Sequence, residues 1–202
     1  MSNYAEEYYF VRLPREQDKL PFLVPDKNTE DRNFRFMPQP MGSPPLVFSN
    51  AAAEENRRTG NYVPTPEILF AGADLLVRSN LRDRLLQEDI DHLHMHPAVY
   101  IDDKGNWHED YWYLTFSEQF DCWDRAASDY EQDDDPVRLA GKEFVQVYEY
   151  SLDRERIDAA PLGQRKLFKM DGDLNGFVVS HQSLLPLFQS ASGAWCQRVS
   201  DY

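Results

Sequence analysis

The sequence is poor in the residues from which most enzyme and disulfide motifs are built. Only two cysteines, Cys122 and Cys196, occur among 202 residues, and their spacing matches no redox or metal motif. The nine glycines form no Walker loop, no GxGxxG turn and no GxSxG elbow. Disulfide scaffolds, nucleotide-binding loops and the common hydrolase sites are therefore not indicated. We expect a protein that is not an enzyme and that has no cofactor.

Long apolar runs are missing as well. No segment approaches the roughly 20 apolar residues that a membrane span requires. Residues 1–18 are acidic, whereas a secretory signal starts with basic residues and has an apolar centre. The two cysteines fit buried thiols in a reducing compartment. We therefore expect a cytoplasmic protein that does not bind membranes.

Basic residues are outnumbered by acidic ones. The chain has 35 Asp and Glu against 21 Lys and Arg, which gives a net charge of −14. A charge of this sign repels nucleic acid and favours a basic partner. The simpler interpretation is that the acidity only maintains solubility. On either interpretation we expect no binding to nucleic acid.

The composition fits one ordered domain over residues 1–202. Hydrophobic residues make up 42% of the chain and aromatic residues 13%, which argues against disorder. Most of the thirteen prolines lie between positions 14 and 66, and a residue before proline prefers extended backbone. Residues 1–62 are therefore predicted to form an extended proline-rich wrap in which helices are disfavoured. Two strands are predicted there, at Tyr8–Leu13 and near Leu46–Phe48.

Residues 63–202 show more regular patterns. A short strand ends at Arg78, and Ser79 is a good N-cap for a helix over residues 80–88. Alternating apolar residues predict strands over residues 92–101, 111–116 and 143–152, and DDKGN at residues 102–106 is a hairpin turn signal. We therefore predict an α+β domain with a mainly antiparallel sheet.

A shift of 101 positions superimposes two strand–helix–strand patterns. It places Val178 on Val77, Ser180 on Ser79 and Cys196 on Met95 without a gap. Pro186 interrupts the second helical pattern and predicts a kink or a later helix start. The order of elements predicts two related strand–helix–strand units, an arrangement typical of internal duplication.

Three histidines, His92, His94 and His96, occupy alternate positions of one predicted strand. Their side chains would share a face, and two histidines at this spacing can bind one zinc ion. A catalytic zinc site needs a third ligand and supporting groups, and no HExxH or paired CxxC motif supplies them. Leu93 and Met95 are predicted to face the core, so the histidines face solvent or a shallow groove. We expect no metal site, and the alternative is a metal-dependent enzyme that uses this histidine face.

Aromatic and acidic residues cluster around the predicted hairpin and a later acidic loop. Large aromatics within a charged rim are typical of protein-binding surfaces. Trp107 is the most informative, because it is predicted to lie in the turn, where a core role is difficult to arrange. Ordinary core aromatics beside solvated loops are the competing interpretation. The residues predicted to bind a partner are Asp102, Asp103, Trp107, Glu109, Asp110, Tyr130, Glu131, Asp133, Asp134 and Asp135.

The segment YWYLTFSEQFDCWDRAASDYE resembles the central motif of a bacterial immunity-protein family. This family is the eleventh in the numbered immunity series of the polymorphic toxin systems. Its D-x-x-D…S-x-Y pattern is matched here by Asp121, Asp124, Ser128 and Tyr130. The resemblance extends over residues 63–202 and includes the PTPEIL entry segment and both strand–helix–strand units.

The resemblance implies a cytoplasmic, non-catalytic protein that binds and neutralises one cognate toxin. Such toxins pass between competing bacteria, for example by type VI secretion. The net charge agrees, since an acidic inhibitor can occupy the basic groove of a nuclease toxin. We expect a monomer, or a 1:1 heterodimer in which the toxin's active site is occluded. The alternatives are the metal-dependent enzyme and a cytoplasmic adaptor protein.

Overall fold

Two β-sheets that share one apolar core organise the chain. The computed structural model describes residues 4–14, 20–132, 136–139 and 141–202. Its strands are β1 (Tyr8–Arg12), β2 (Leu23–Pro25), β3 (Leu46–Asn50), β4 (Ile68–Ala71), β5 (Asp74–Arg78), β6 (Leu93–Ile101), β7 (Trp107–Phe116), β8 (Asp129–Tyr130), β9 (Val137–Leu139), β10 (Lys142–Phe144), β11 (Val147–Glu149), β12 (Leu167–Lys169), β13 (Val178–His181) and β14 (Trp195–Arg198). Its helices are α1 (Tyr4–Glu7), α2 (Lys27–Glu30), α3 (Ala53–Thr59), α4 (Ser79–Leu85), α5 (Arg154–Ala159), α6 (Leu162–Lys166) and α7 (Leu185–Gln189), with 3-10 turns at Gln182–Leu184 and Val199–Asp201.

Most strand pairs are antiparallel. The larger sheet has the order β2-β3-β6-β7-β5-β4, and the smaller has the order β12-β13-β1-β14. Only β3 and β6 pair in parallel within these two sheets. The pairs β9–β10 and β8–β11 form separate antiparallel ribbons. The predicted α+β class with a mainly antiparallel sheet is confirmed.

The two sheets repeat one topology. The order β4-β5-β7-β6 in the larger sheet matches β12-β13-β1-β14 in the smaller one, and every neighbouring pair in both is antiparallel. Each repeat contains a strand–helix–strand unit, β5-α4-β6 and β13-α7-β14, as the sequence shift predicts. The third strand of each set has a different origin, because β7 directly follows β6 whereas β1 comes from the N-terminal end.

The register corrects one part of the sequence alignment. Val77 pairs with Trp112, and its counterpart Val178 pairs with Val11, as a shift of 101 residues requires. Trp112 also pairs with Pro97, whereas Val11 pairs with Cys196. The topological counterpart of Cys196 is therefore Pro97 and not Met95. The offset of two residues leaves the side-chain faces unchanged, because strand side chains alternate with a period of two.

Both sheets are apolar on both faces. Val11 lies in the core that the sheets share, whereas its neighbour Phe10 points to the opposite side of the smaller sheet. Side chains of β4 and β5 alternate in the same way in the larger sheet. The outer faces must therefore be covered by other parts of the chain. The shared core comprises Val11, Ile68, Phe70, Leu75, Val77, Leu81, Leu85, Leu114, Phe116, Leu167, Val178, Leu184, Leu187 and Phe188.

Two largely irregular segments cover the outer faces. Residues 120–130 and 145–160 cover the smaller sheet, where the ring of Tyr150 lies 4.9 Å from that of Phe10. The N-terminal wrap covers the larger sheet through Phe34, which is 3% exposed. The Phe34 ring lies 5.8 Å from Phe48 and 5.3 Å from Tyr113. The proline-rich part is thus packed onto the domain, as predicted.

The expectation that the proline-rich part lacks helices is wrong. Helix α2 begins after Asp26, whose side chain accepts a hydrogen bond from the Thr29 N–H. Helix α3 occupies a proline-free stretch and ends at Gly60, which has a φ of 77°. All the helices of the described residues are short, and none is long and apolar enough to cross a membrane.

Two further local predictions need correction. Ser79 is the first residue of α4 and does not cap it, because its hydroxyl donates to the Asp110 carbonyl and accepts from Trp112 Nε1 instead. The predicted strand over residues 143–152 is broken into β10 and β11, because Val145 bridges to Asp173 between them. Tertiary partners therefore override the local pattern at both places.

Replacement of Phe34 by Ala tests the packing of the wrap. We expect the free energy of unfolding to fall by about 3 to 5 kcal/mol, because a buried ring between two aromatic neighbours is lost. Phe36→Ala is the matched control, since Phe36 is 55% exposed and should change stability by only about 0.5 kcal/mol. Urea unfolding followed by circular dichroism measures both, and equal effects would show that the wrap is not anchored by Phe34.

Candidate protein-binding site

The hairpin of β6 and β7 carries half of the residues predicted to bind a partner. The structure divides these five residues by their surroundings. Asp102 and Asp103 belong to the turn and its supports, and Asp110 is held in an ion pair. Trp107 and Glu109 remain exposed. The structure therefore leaves fewer of these residues available to a partner than the sequence predicts.

Asp103 is a buried support of the hairpin, which corrects its predicted role. It is 1% exposed, so a partner cannot reach it. Its carboxylate accepts hydrogen bonds from Asn50 Nδ2 at 2.8 Å, from Asn56 Nδ2 at 2.9 Å and from the Val63 N–H at 3.1 Å. These bonds tie the hairpin to β3, to α3 and to the start of residues 63–202.

Asp102 closes the hairpin turn. Its carboxylate accepts hydrogen bonds from the N–H groups of Lys104 and Asn106 and from Asn106 Nδ2, each at 2.9 Å. His108 Nε2 lies 3.0 Å from the same carboxylate. Burial alone would raise the pKa of Asp102, but the hydrogen bonds from Asn106, His108 and Lys104 outweigh it and hold the pKa well below its usual range. Any contact of Asp102 with a partner stays a prediction.

Asp110 is paired within the chain. Its Oδ2 lies 2.5 Å from Arg78 Nη1, and the Arg78 guanidinium lies over the ring of Tyr111. The Asp110 side chain is still about half exposed, so it remains accessible at the edge of the hairpin. Its charge is largely offset by Arg78.

Trp107 is the most exposed aromatic ring of the hairpin. It is the first residue of β7 and pairs with Ile101, so the prediction that it lies in the turn is wrong. It is nevertheless 62% exposed. A β-bulge explains its position, because β7 has one extra residue between the pairs Tyr100–His108 and Ala98–Tyr111. His108 therefore stacks on buried Tyr100, and Trp107 is directed to the other face.

A groove of about 490 Å³ lies beside Trp107. Its floor is formed by Val47 and Val99, which are paired across the parallel strands β3 and β6. Its walls include Pro44, Pro45 and Pro97. This volume falls in the range that can receive one or a few side chains of another molecule. An exposed indole at the edge of an apolar groove is the composition of an interface anchor.

The charged groups around the groove differ in whether they are already bonded within the chain. Arg32 is occupied, because it donates to Gln39, to the Pro44 carbonyl at 2.9 Å and to the Pro45 carbonyl. Asp26 caps α2. The Glu109 side chain makes no ion pair or hydrogen bond with any residue that the structure describes. Glu109 is therefore the carboxylate at this groove that is free to meet a cation.

Tyr130 and Glu131 do not line this groove. Tyr130 lies in β8, and its ring packs edge-on against Trp123 with the centroids 5.3 Å apart. Glu131 is exposed, and its N–H donates to the Gln146 carbonyl. Asp133, Asp134 and Asp135 lie outside the described residues. A role of Tyr130, Glu131 and Asp133 to Asp135 in binding stays a prediction.

The three histidines do not form a cluster. Strand β6 begins at Leu93, so His92 precedes it, with a φ of 60° and its ring 3.7 Å from Glu118. His96 Nε2 lies 2.9 Å from the Pro44 carbonyl, and His94 is exposed. Leu93 and Met95 pack against the shared core, as predicted. Within the described ranges, no group of three or more His, Cys, Asp or Glu side chains could hold a metal ion.

Sequence reasoning missed the N-terminal half of the groove. The wrap supplies Arg32, Pro44 and Pro45, and β3 supplies Val47. The prolines marked an extended packed segment, but no local pattern shows which strand that segment meets. The parallel pairing of β3 with β6 brings these distant residues together.

Comparison with known proteins adds no relative. No protein-family model matches the chain, and no curated protein matches it. The resemblance to the immunity family stays a prediction that rests on the residues that carry it.

Replacement of Asp103 by Ala tests the structural role of this residue. We expect the free energy of unfolding to fall by about 3 kcal/mol or more, because three donors lose their buried acceptor. Glu109→Ala is the control on the same hairpin and should change it by only about 0.5 kcal/mol. Equal urea midpoints for the two variants would contradict the assignment.

Asp102→Asn tests the origin of its lowered pKa. A carboxyl group whose pKa is lowered in the folded state stabilises the protein above its unfolded pKa, near 4, and loses this effect as pH falls toward the folded value. We expect the variant to be less stable by about 1 kcal/mol at pH 7. The difference from the unmodified protein should shrink between about pH 4 and pH 3. Urea unfolding at several pH values measures it, and a difference that grows on acidification would refute the account.

Proposed function

We propose that this protein is an immunity protein that binds and neutralises a basic toxin domain through the Trp107 groove. The observation that carries the proposal is the exposed Trp107 ring beside an apolar groove, with the unpaired carboxylate of Glu109 at its edge. The resemblance to the immunity family supports the same function.

Trp107 and the groove supply the apolar part of the interface. A few aromatic anchors in desolvated pockets provide most of the binding free energy in protein complexes. Val47, Val99 and the surrounding prolines offer a preformed apolar surface for one large side chain of the partner. Proline walls and a paired strand floor lose little conformational freedom on binding, which favours affinity.

Charge orients the partner and raises the rate of association. Residues 26–32 and Glu109 contribute four acidic side chains and two basic ones, and one of the basic ones, Arg32, is bonded within the chain. The whole chain adds a net charge of −14. Opposite charge steers a basic partner toward this surface and raises the association rate. A basic toxin bound here would have its own substrate groove covered by an acidic surface.

Trp107→Ala and Glu109→Gln separate these two contributions. With the cognate toxin domain as partner, Trp107→Ala should raise the dissociation rate at least about thirtyfold, which corresponds to about 2 kcal/mol. Glu109→Gln should mainly slow association and reduce its dependence on salt between about 50 and 500 mM. Surface plasmon resonance or stopped-flow fluorescence measures both rates.

Matched variants make the test specific. Tyr148→Ala removes another exposed aromatic residue, and Glu155→Gln removes another exposed carboxylate, both outside the groove. Both should leave binding and protection of a toxin-expressing host unchanged. Tight binding without protection would favour an adaptor, and equal effects of Trp107→Ala and Tyr148→Ala would reject the groove as the interface.

A further inference from the structure

A second cavity, of about 550 Å³, is separate from the Trp107 groove and shares no lining residue with it. It opens where the ends of β7 and β12 meet the wrap and the β9–β10 ribbon. Its polar lining includes Asp74, Lys169, Arg35 and Lys142. A volume of this size suits a small organic molecule.

The inner part of the cavity contains a buried charge pair. Asp74 is 7% exposed, the Lys169 ammonium contacts its Oδ1, and Tyr113 donates to its Oδ2 at 2.5 Å. Both carboxylate oxygens therefore have donors. The Lys169 ammonium has three N–H groups, and within the described part of the chain only this carboxylate is its partner, so it retains donors for a ligand.

Two further cations line the outer part of the cavity. Lys142 Nζ lies 2.8 Å from Asp171 Oδ1 and, like Lys169, retains free N–H groups. The Arg35 guanidinium has no ion pair and no hydrogen bond among residues 4–14, 20–132, 136–139 and 141–202, and it lies 5.5 Å from the centre of the Phe34 ring. Unpaired arginine is notable in a chain with 14 excess negative charges.

The other acidic side chains of the lining either accept hydrogen bonds within the chain or are largely exposed to solvent. Asp173 is 3% exposed and accepts hydrogen bonds from the Tyr150 hydroxyl and the Asn175 N–H, both at 2.9 Å. The Glu118 side chain is 65% exposed and lies 3.7 Å from His92. The unused charged hydrogen-bonding groups of the inner cavity are therefore the cationic donors of Arg35, Lys142 and Lys169, and Thr115, Ser117 and Gln119 add neutral polar groups. A ligand that matches it must be rich in acceptors.

Apolar side chains complete the cavity. Phe116 and Phe144 are buried in its wall, and Phe36 and Leu174 are exposed at the surface. We propose that this cavity binds a small organic anion, with a carboxylate or phosphate group held by Arg35, Lys142 and Lys169 and an apolar body against Phe116 and Phe144. The site is independent of the immunity function, because it involves neither Trp107 nor Glu109.

Calorimetric titration of the full chain at low salt tests the site. The probes are benzoate and phenyl phosphate, with inorganic phosphate to test the apolar body and benzylamine to test the sign of the charge. We expect one of the aromatic anions to bind with a Kd below about 10 mM, tighter than inorganic phosphate, and benzylamine not to bind. Comparison of the two anions identifies the preferred head group.

Variants localise the binding. Arg35→Ala and Lys142→Ala should each weaken it by about tenfold, the loss expected for one charged hydrogen bond. Both side chains are exposed, so the variants should fold normally. Arg58→Ala on α3 is the control, since it removes an exposed cation remote from the lining. Equal binding of benzylamine, no anion binding at about 10 mM, or an unchanged Kd for Arg35→Ala would overturn the proposal.

Discussion

The insertion of β1 between β13 and β14 is the constraint on which the rest of the structure depends. The strand comes from the N-terminal end, and both its neighbours come from the C-terminal end. Phe10 and Val11 are fully buried on opposite faces of the sheet. Without β1, both neighbouring strands would expose an unpaired edge, and the shared core would lose one wall. The smaller sheet therefore forms only when the two ends of the chain meet, which makes folding depend on long-range contacts.

This arrangement also brings two similar sets of strands together around one core. Each set has four strands in the same order with a strand–helix–strand unit, and each sheet is apolar on both faces. Stacking covers one face of each sheet. The remaining faces are covered by residues 120–130 and 145–160 and by the N-terminal wrap, segments that have no counterpart in the repeat. The positions of the candidate sites follow from these covers.

The wrap connects the two proposed binding surfaces. Arg32, Pro44 and Pro45 line the Trp107 groove, and Arg35 and Phe36 line the second cavity. Phe34, between these groups, fixes the segment to the larger sheet. The acidic composition alone overestimates the number of carboxylates that are available to a partner, because Asp102, Asp103 and Asp74 are bonded within the fold. Among the described acidic residues that line the groove, Glu109 is the one whose carboxylate stays unpaired.

By itself, the sequence determined the fold class, the positions of β1, β3, β6 and β7, and the two strand–helix–strand units. Side-chain alternation, turn residues and proline are local signals, and they report local backbone preference. The exposure of Trp107 was also predicted, although for an incorrect reason, since it lies in β7 next to a bulge. Only the tertiary structure decided that Asp103 is buried, that Ser79 bonds to Asp110, and that the prolines of the wrap meet Val99. These outcomes depend on strand pairing between distant segments, and a period of two or 3.6 residues contains no information about which strands become neighbours.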